Sequence, residues 1–480
     1  MISQPAADTT GWPVRFGLGR PATAAEIGRL DHDVRPDGTG LPAGSGTAVT
    51  GKAVYAARCA ACHGITGVEG PHNRLVARAG DGKEKTIGNY WPYATTLFDY
   101  IRRAMPYNAP GSLTDEDPAR APGPPPGTLG TRSPFERPVK KPSDTSSRTP
   151  LQDLYGTVTP ADLHYERHHA GVPAIDPKGY ELLIHGMVEK PLVFSLADLK
   201  RFPSVSRTCF LECAGNYRAH AETLSPQEIC GLTSQSEWTG VRLATLLREV
   251  GPKPRATWFL AEGADAGRMT RSIPVQKGLE DAIVAYAQNG EAVRPEQGYP
   301  ARLVLPGWEG NTCVKWLRRI ELSDAPFMTR EETARYTEPV RDGKVRQFSF
   351  VMDARSIITY PAYPHPVERG WIEIRGIAWS GRGKITRVEV STDAGKSWGP
   401  AGLQEPVLDK AHTAFRYLWH WNGAETEIMS RAVDETGYVQ PSLRELIAAR
   451  GADTGYHLNP VTAWQLKRDG RVLLRPEPWR

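Results

Sequence analysis

Apolar and polar positions divide this chain into stretches of different period. Near the N-terminus the spacing is helical. Ala53, Val54 and Tyr55 recur within Lys52 to Arg58, and Leu97, Phe98, Ile101 and Ala104 fall on one face of a second helix that ends at Met105-Pro106. Residues 118–150 hold nine Pro among Ser, Thr, Arg and Lys with almost nothing apolar, which predicts an extended, semi-rigid connector. Between 151 and 344 short apolar strands alternate with short helices: Tyr180 to Val188 predicts a strand, Leu196 to Phe202 a helix, and Ala301 to Pro306 a buried strand. From 345 to 480 the period shortens to two. Trp371 to Ile377 and Ile385 to Val390 alternate, and Asp393-Ala-Gly395 turns the chain into Lys396-Ser-Trp398 as a hairpin. Several such strands in succession predict an immunoglobulin-like sandwich. The fold class is therefore multi-domain: a mainly α region (1–117), the connector, an α+β domain (151–344) and an all-β domain (345–480).

Composition narrows the function classes. The chain has 480 residues, 40% hydrophobic and 24% charged, with 47 Gly and 41 Pro, which favours strands and turns over long helices. A net charge of +5, spread along the sequence, gives no basic patch for nucleic acid, and no apolar run is long enough to span a bilayer. Gly46 to Lys52 matches phosphate-loop spacing, but Ala53 stands where Ser or Thr must hold magnesium.

Cys59-Ala-Ala-Cys62-His63 brings in the first chemistry. Two thiols two residues apart, followed at once by an imidazole, form the c-type haem attachment pattern. Cys59 and Cys62 would each bind a haem vinyl group, and His63 would ligate the iron. Met105, with a soft thioether, is the first candidate for the second axial position, and His72 is its rival. Thr114 to Asp117 starts a closing helix that Pro118 stops, so this region lacks the last helix of a class I cytochrome c. Covalent haem attachment implies a periplasmic protein. Met1 leads directly into polar sequence, so the expected leader lies outside this numbering.

A second constellation surrounds Cys209-Phe-Leu-Glu-Cys213-Ala-Gly-Asn216-Tyr-Arg218. Thiolate suits a redox-active, sulfur-bonded metal. Upstream stands Arg167-His168-His169-Ala-Gly-Val-Pro173. Downstream come Glu262 to Asp265, Gly298 to Gly307, Val314-Lys315-Trp316 and Tyr336. His164, His168 and His169 have zinc-like spacing, but an extended Arg-His-His segment before Pro does not converge on one metal. In order and spacing these blocks resemble the molybdenum domain of the sulfite oxidase family, and the C-terminal strands resemble its dimerisation domain. With the cytochrome region, the chain is most similar to bacterial sulfite dehydrogenases and sulfane dehydrogenases.

The resemblance implies roles for individual residues. Cys213 would bind molybdenum. Arg167 and Arg218 would meet the substrate, and Tyr336 would stand beside the metal oxygen. His169, Asp265, Arg302 and Lys315, with Cys313 between the last two, would hold the molybdopterin. The implied cofactors are molybdenum-molybdopterin and haem c. The implied activity is oxidation of sulfite to sulfate, with electrons passing through the haem to an external cytochrome c. Two departures bear on this. Gln297 replaces a His common before Gly-Tyr-Pro, and Ala463-Trp464-Gln465-Leu466 replaces a sequence that supplies some relatives with another substrate cation. A less cationic mouth leaves room for sulfur carried on a larger molecule, as in a sulfane dehydrogenase. A non-catalytic electron-transfer or docking module is the reading from a different class. The resemblance also implies a homodimer. On the strand from Trp371, the face shared by Trp371, Glu373, Arg375, Ile377 and Trp379 is expected to meet a partner, with the haem arms free on their connectors.

Overall fold

The structure is a computed structural model describing residues 11–77, 85–113, 124, 146–340, 344–452 and 454–476. The expected connector lies outside the described residues except for Pro124 and 146–150, and Thr114 to Asp117 lies wholly outside them.

The N-terminal part begins with a two-residue strand, β1 (Arg20–Pro21), and a helix, α1 (Ala24–Leu30), capped by Thr23 and Glu26. The haem-motif helices follow as α2 (Ala48–Arg58) and α3 (Ala60–His63), then α4 (Ile87–Tyr90) and α5 (Ala94–Ala104). β1 does not belong with these helices. It pairs with β5 (Leu192–Ser195) and extends the sheet of the next domain, so the region expected to be wholly cytochrome starts inside its neighbour.

α5 is the expected helix ending before Met105-Pro106, but of its apolar face only Ala104 is buried. Phe98 and Ile101 are 38% and 37% exposed, whereas Thr96, Asp99 and Arg103 on the polar face are buried. The helix is turned polar side inward because the surface it meets is charged.

After β2 (Ser146–Ser147) and β3 (Glu166–Arg167), which pair with each other, two sheets build the α+β domain. One runs β1-β5-β4-β13-β8-β9, with β4 (Glu181–Gly186), β8 (Trp258–Gly263), β9 (Thr270–Pro274) and β13 (Leu317–Ser323); only β4 and β13 are parallel. The other joins β6 (Val205–Glu212), β7 (Thr233–Arg242) and β10 (Ile283–Gln288), with β11 (Glu291–Ala292) and β12 (Arg302–Val304) on β10. Leu182, Phe194, Trp238, Leu246, Phe259 and Leu303 fill one core between them. β4 and β12 confirm two of the expected strands, each shortened at its ends.

The C-terminal region is β-rich. Four strands around Gly370–Trp379 and five around Thr426–Asp434 enclose a second core that includes Ile374, Trp379, Phe415 and Trp464. The hairpin is present: Val390 pairs with Gly399, and the Asp393 carboxylate accepts from the Ser397 amide at 2.9 Å. The aromatic face is split, however. Trp371 is 71% exposed, but Trp379 is fully buried, and its indole N–H donates to Glu212 Oε2 at 2.6 Å, so the preceding domain covers that end. No helix among the described residues is long and apolar enough to cross a membrane.

Candidate functional site

The ends of β3, β6 and β12, together with the loops after β8, before β13 and beyond it, converge on a partly enclosed cleft. It holds about 660 Å³ of atom-free space, counting its open mouth. Arg167, His169, Cys213, Asp265, Arg302, Cys313, Lys315 and Tyr336 all line it. These residues span 170 positions of sequence (167 to 336), and the sheet topology brings them together. Arg218 is the exception: it is exposed and does not line the cleft.

Cys213 follows directly on β6, and its amide donates to the Leu232 carbonyl at 3.0 Å, which fixes the thiol at the strand end. Burial pushes this thiol above its ordinary range, with Arg167 pulling the other way. A metal would be needed to hold it as thiolate. Opposite, Tyr336 has a left-handed backbone (φ 48°), a strained conformation for a side chain of this size. Its phenol lies 3.0 Å from His169 Nε2. Burial raises the phenol, so it stays protonated, and desolvation, with Arg167, Arg330 and Arg335 nearby, keeps His169 neutral.

The wall expected to bind cofactor is held by backbone carbonyls. Arg302 donates to the carbonyls of Gln297 (2.8 Å) and Cys313 (3.0 Å), and its guanidinium lies 4.8 Å from the Trp238 ring centre. Lys315 donates to the Glu296 carbonyl (3.0 Å) and to His168 Nδ1 (2.9 Å), while the opposite nitrogen of His168 donates to Glu166 (2.8 Å). Burial, helped by Arg302, lowers the Lys315 ammonium to about 7. Gly298 (φ 113°) lets these two segments meet, since a Cβ there would lie 3.0 Å from Lys315 Cβ and 3.1 Å from Arg302 Cβ.

Two buried polar atoms at this wall fit an absent ligand. Arg302 Nε and His164 Nε2 have no partner among the described residues. His164 is lowered to about 3 by burial, so it is neutral, and because its Nδ1 faces the Tyr165 carbonyl (3.0 Å), Nε2 is a bare acceptor. A pterin carries both donors and acceptors and a phosphate needs fixed cations, so the donor set suits molybdopterin. His164 was the residue that sequence reasoning missed, because spacing alone suggested only zinc. Among the described residues the one His-containing cluster with metal-ligand spacing is Asp31, His185 and Glu321, so His164, His168 and His169 do not form one.

In the haem region, His63 Nδ1 lies 2.8 Å from the Asn73 carbonyl. That bond leaves Nε2 for iron and orients the ring, as a ligating histidine requires. Cys59 and Cys62 are both unpaired and half-buried. Val54 (55%) and Ile65 (83%), within five residues of the motif, are exposed apolar positions beside the attachment residues. Met105 is half-buried at the end of α5, and His72 is exposed.

Comparison with known proteins matches a domain family to each region. Residues 169–331 match the oxidoreductase molybdopterin binding domain, 346–463 the Mo-co oxidoreductase dimerisation domain, and 46–121 the family "Cytochrome C oxidase, cbb3-type, subunit III". Sulfite oxidase of Gallus gallus is 32% identical over 62% of this chain and 72% of its own length. The mitochondrial sulfite oxidase of Drosophila melanogaster is 34% identical over 60% of this chain; the chain spans only 56% of that relative. The crystal structure of the sulfane dehydrogenase SoxCD from Paracoccus pantotrophus matches with a TM-score of 0.70 and 44% identity, over 72% of this chain and 90% of that one.

Proposed function

The chain belongs to the sulfite oxidase family, is a molybdenum oxidoreductase and carries molybdopterin and haem c, and from that premise we propose that it oxidises reduced sulfur and passes the electrons through its haem to an external cytochrome c. A molybdenum group held by Cys213 would supply oxygen-atom transfer, and a haem held by Cys59, Cys62 and His63 would supply one-electron transfer. Each turn would add one water-derived oxygen to sulfur, balanced by two protons released and two electrons taken up by the external cytochrome c.

The protein's own residues bind and orient. Cys213 would hold the metal, while Arg302, Lys315, His169, Asp265 and His164 would hold the pterin and its phosphate. Arg167 would attract the anionic sulfur group. Tyr336, protonated and aligned against His169, would donate a hydrogen bond to an oxygen of the bound substrate.

Of the two expected substrates, sulfur on a carrier molecule is favoured over free sulfite. The observation that carries this is the fate of the cations expected at the substrate end: Arg167 lines the cleft, but Arg218 is exposed outside it, and the stretch from Ala463 puts the apolar Trp464 in the core. A small dianion such as sulfite relies on several fixed cations, whereas a carrier gains contacts of its own. The 44% identity to the sulfane dehydrogenase structure supports the same choice. Free sulfite is the second reading, motivated by the chicken and fly relatives. Purified protein with both cofactors should reduce cytochrome c faster with a persulfidated carrier peptide than with sulfite at equal concentration. The reverse order would overturn the choice, and no reduction with either would overturn the function.

The haem attachment motif supports a periplasmic location, and the dimerisation-domain match supports a homodimer whose C-terminal sheets form an immunoglobulin-like sandwich.

A further inference from the structure

The inward polar face of α5 is bound to the molybdenum domain at several points. Arg103, 3% exposed, donates to both Asp99 carboxylate oxygens (3.0 and 2.9 Å), to Glu262 Oε2 (2.5 Å) and to Asp33. Glu262 is also bound by Arg318 and Arg319, and it lies on β8 three residues before the cleft residue Asp265. Three further contacts grip the loop that carries Tyr336. Thr96 donates to the Met328 carbonyl (2.9 Å), the Arg330 guanidinium lies 4.5 Å from the Tyr100 ring centre, and the Tyr90 and Thr337 hydroxyls are 2.6 Å apart. A crevice lined by Tyr100, Ala104 and Tyr107 of the arm also touches His169 and Asp265 of the cleft.

We infer that Arg103 is a positioning residue for electron transfer, fixing the haem arm in one pose against the loop that carries Tyr336. This rests on the proposed molybdenum-to-haem relay and replaces the expectation that the arm swings freely on its connector. A buried ion cluster gives uniqueness of pose more than stability, because a shifted docked pose parts Arg103 from Glu262 and Asp33 and leaves it buried with only Asp99 of its own helix. Phe98 and Ile101 of α5 stay exposed, while its polar face is taken up by the molybdenum domain. Electrons cross a contact that is already made.

The test uses the protein with both cofactors and a photoreduced flavin as donor. The flavin gives one electron, haem iron(III) becomes iron(II), and that electron then equilibrates with the molybdenum centre at a rate read from haem absorbance. In the wild type this rate should not change when sucrose raises the viscosity severalfold. In Arg103→Lys, whose single ammonium cannot reach three carboxylates, it should fall about tenfold and become inversely dependent on viscosity, as for an arm that must find its site by diffusion. The double variant Thr96→Val, Tyr90→Phe, which keeps the ion cluster, should slow the rate less and acquire a weaker viscosity dependence. A readout independent of turnover is amide exchange in the cofactor-loaded wild type, where α5 should be protected like β8. A wild-type rate that falls in proportion to viscosity, an Arg103→Lys rate equal to wild type, or unprotected α5 amides would each overturn the inference. Because the electron source is photochemical, failure of the sulfur substrates would not affect this result.

Discussion

The phenol of Tyr336 stands 3.0 Å from Nε2 of His169, across 167 positions of sequence, and both side chains line the cleft that holds Cys213. In the proposed site the pair joins the substrate end to the wall that suits the pterin. Both groups are neutral for the same reason, desolvation. Tyr336→Phe keeps the ring but removes the O–H, so turnover should fall about 10²-fold while molybdenum content stays at wild-type level. Metal analysis alongside steady-state kinetics checks this, and an unchanged kcat would exclude a role for the hydroxyl.

Cys213→Ser replaces the proposed sulfur ligand with a hard, weakly acidic hydroxyl. The variant should lose molybdenum and activity together, yet keep covalent haem because Cys59, Cys62 and His63 lie in a separate region. Elemental analysis gives the molybdenum-to-iron ratio, and a ratio equal to wild type would remove Cys213 from the ligand set.

Lys315 makes a pH prediction with a definite sign. Its folded value is about 7, against an ordinary 10.5. Between those values the unfolded chain binds more protons than the folded one, so this group makes the cofactor-free protein more stable as pH rises from about 7 towards 10. The slope is at most about 1.4 kcal/mol per pH unit. Lys315→Met should lack it. Denaturant midpoints of both proteins across that range measure the difference, and parallel curves would contradict the prediction.

Met105→Ala should leave haem attached, because attachment needs only Cys59, Cys62 and His63. It should lower the haem potential and open the iron to added ligands. Redox titration with cyanide binding tests this, and an unaltered potential would turn attention to His72.

The proposed homodimer should appear in light scattering as a mass about twice the 52.8 kDa of the chain. Trp371 is the exposed end of the strand Gly370–Trp379, so its fluorescence should shift on association, whereas that of Trp379, sealed against Glu212, should not. A mass near 52.8 kDa at micromolar concentration would leave a monomer.

The haem motif could be read from sequence because its chemistry is local: Cys59, Cys62 and His63 sit on one short helical turn, and the bond from His63 to Asn73 spans ten residues. The β hairpin at Asp393 and the strand from Gly370 could be read for the same reason, since period and turn chemistry are properties of neighbours. The molybdenum site could be read only as an ordered set of blocks. His164 stayed hidden because what marks it, a bare buried acceptor, depends on burial by distant segments.

The sequence by itself determined the haem attachment motif, the order of the regions and several of the residues that line the cleft, Arg167, His169, Cys213, Asp265, Arg302, Cys313, Lys315 and Tyr336 among them. Only the tertiary structure decided which face of α5 is inside, that Trp379 is covered while Trp371 is not, and that Arg218 lies outside the cleft. The physical reason is one of range. An apolar stripe on a helix states a preference worth little until a partner surface is present, and the partners of Arg103 lie 70 and 159 residues away, at Asp33 and Glu262. Once those carboxylates face the helix in a water-poor interface, burying Arg103 away from them would cost more than exposing Phe98 and Ile101.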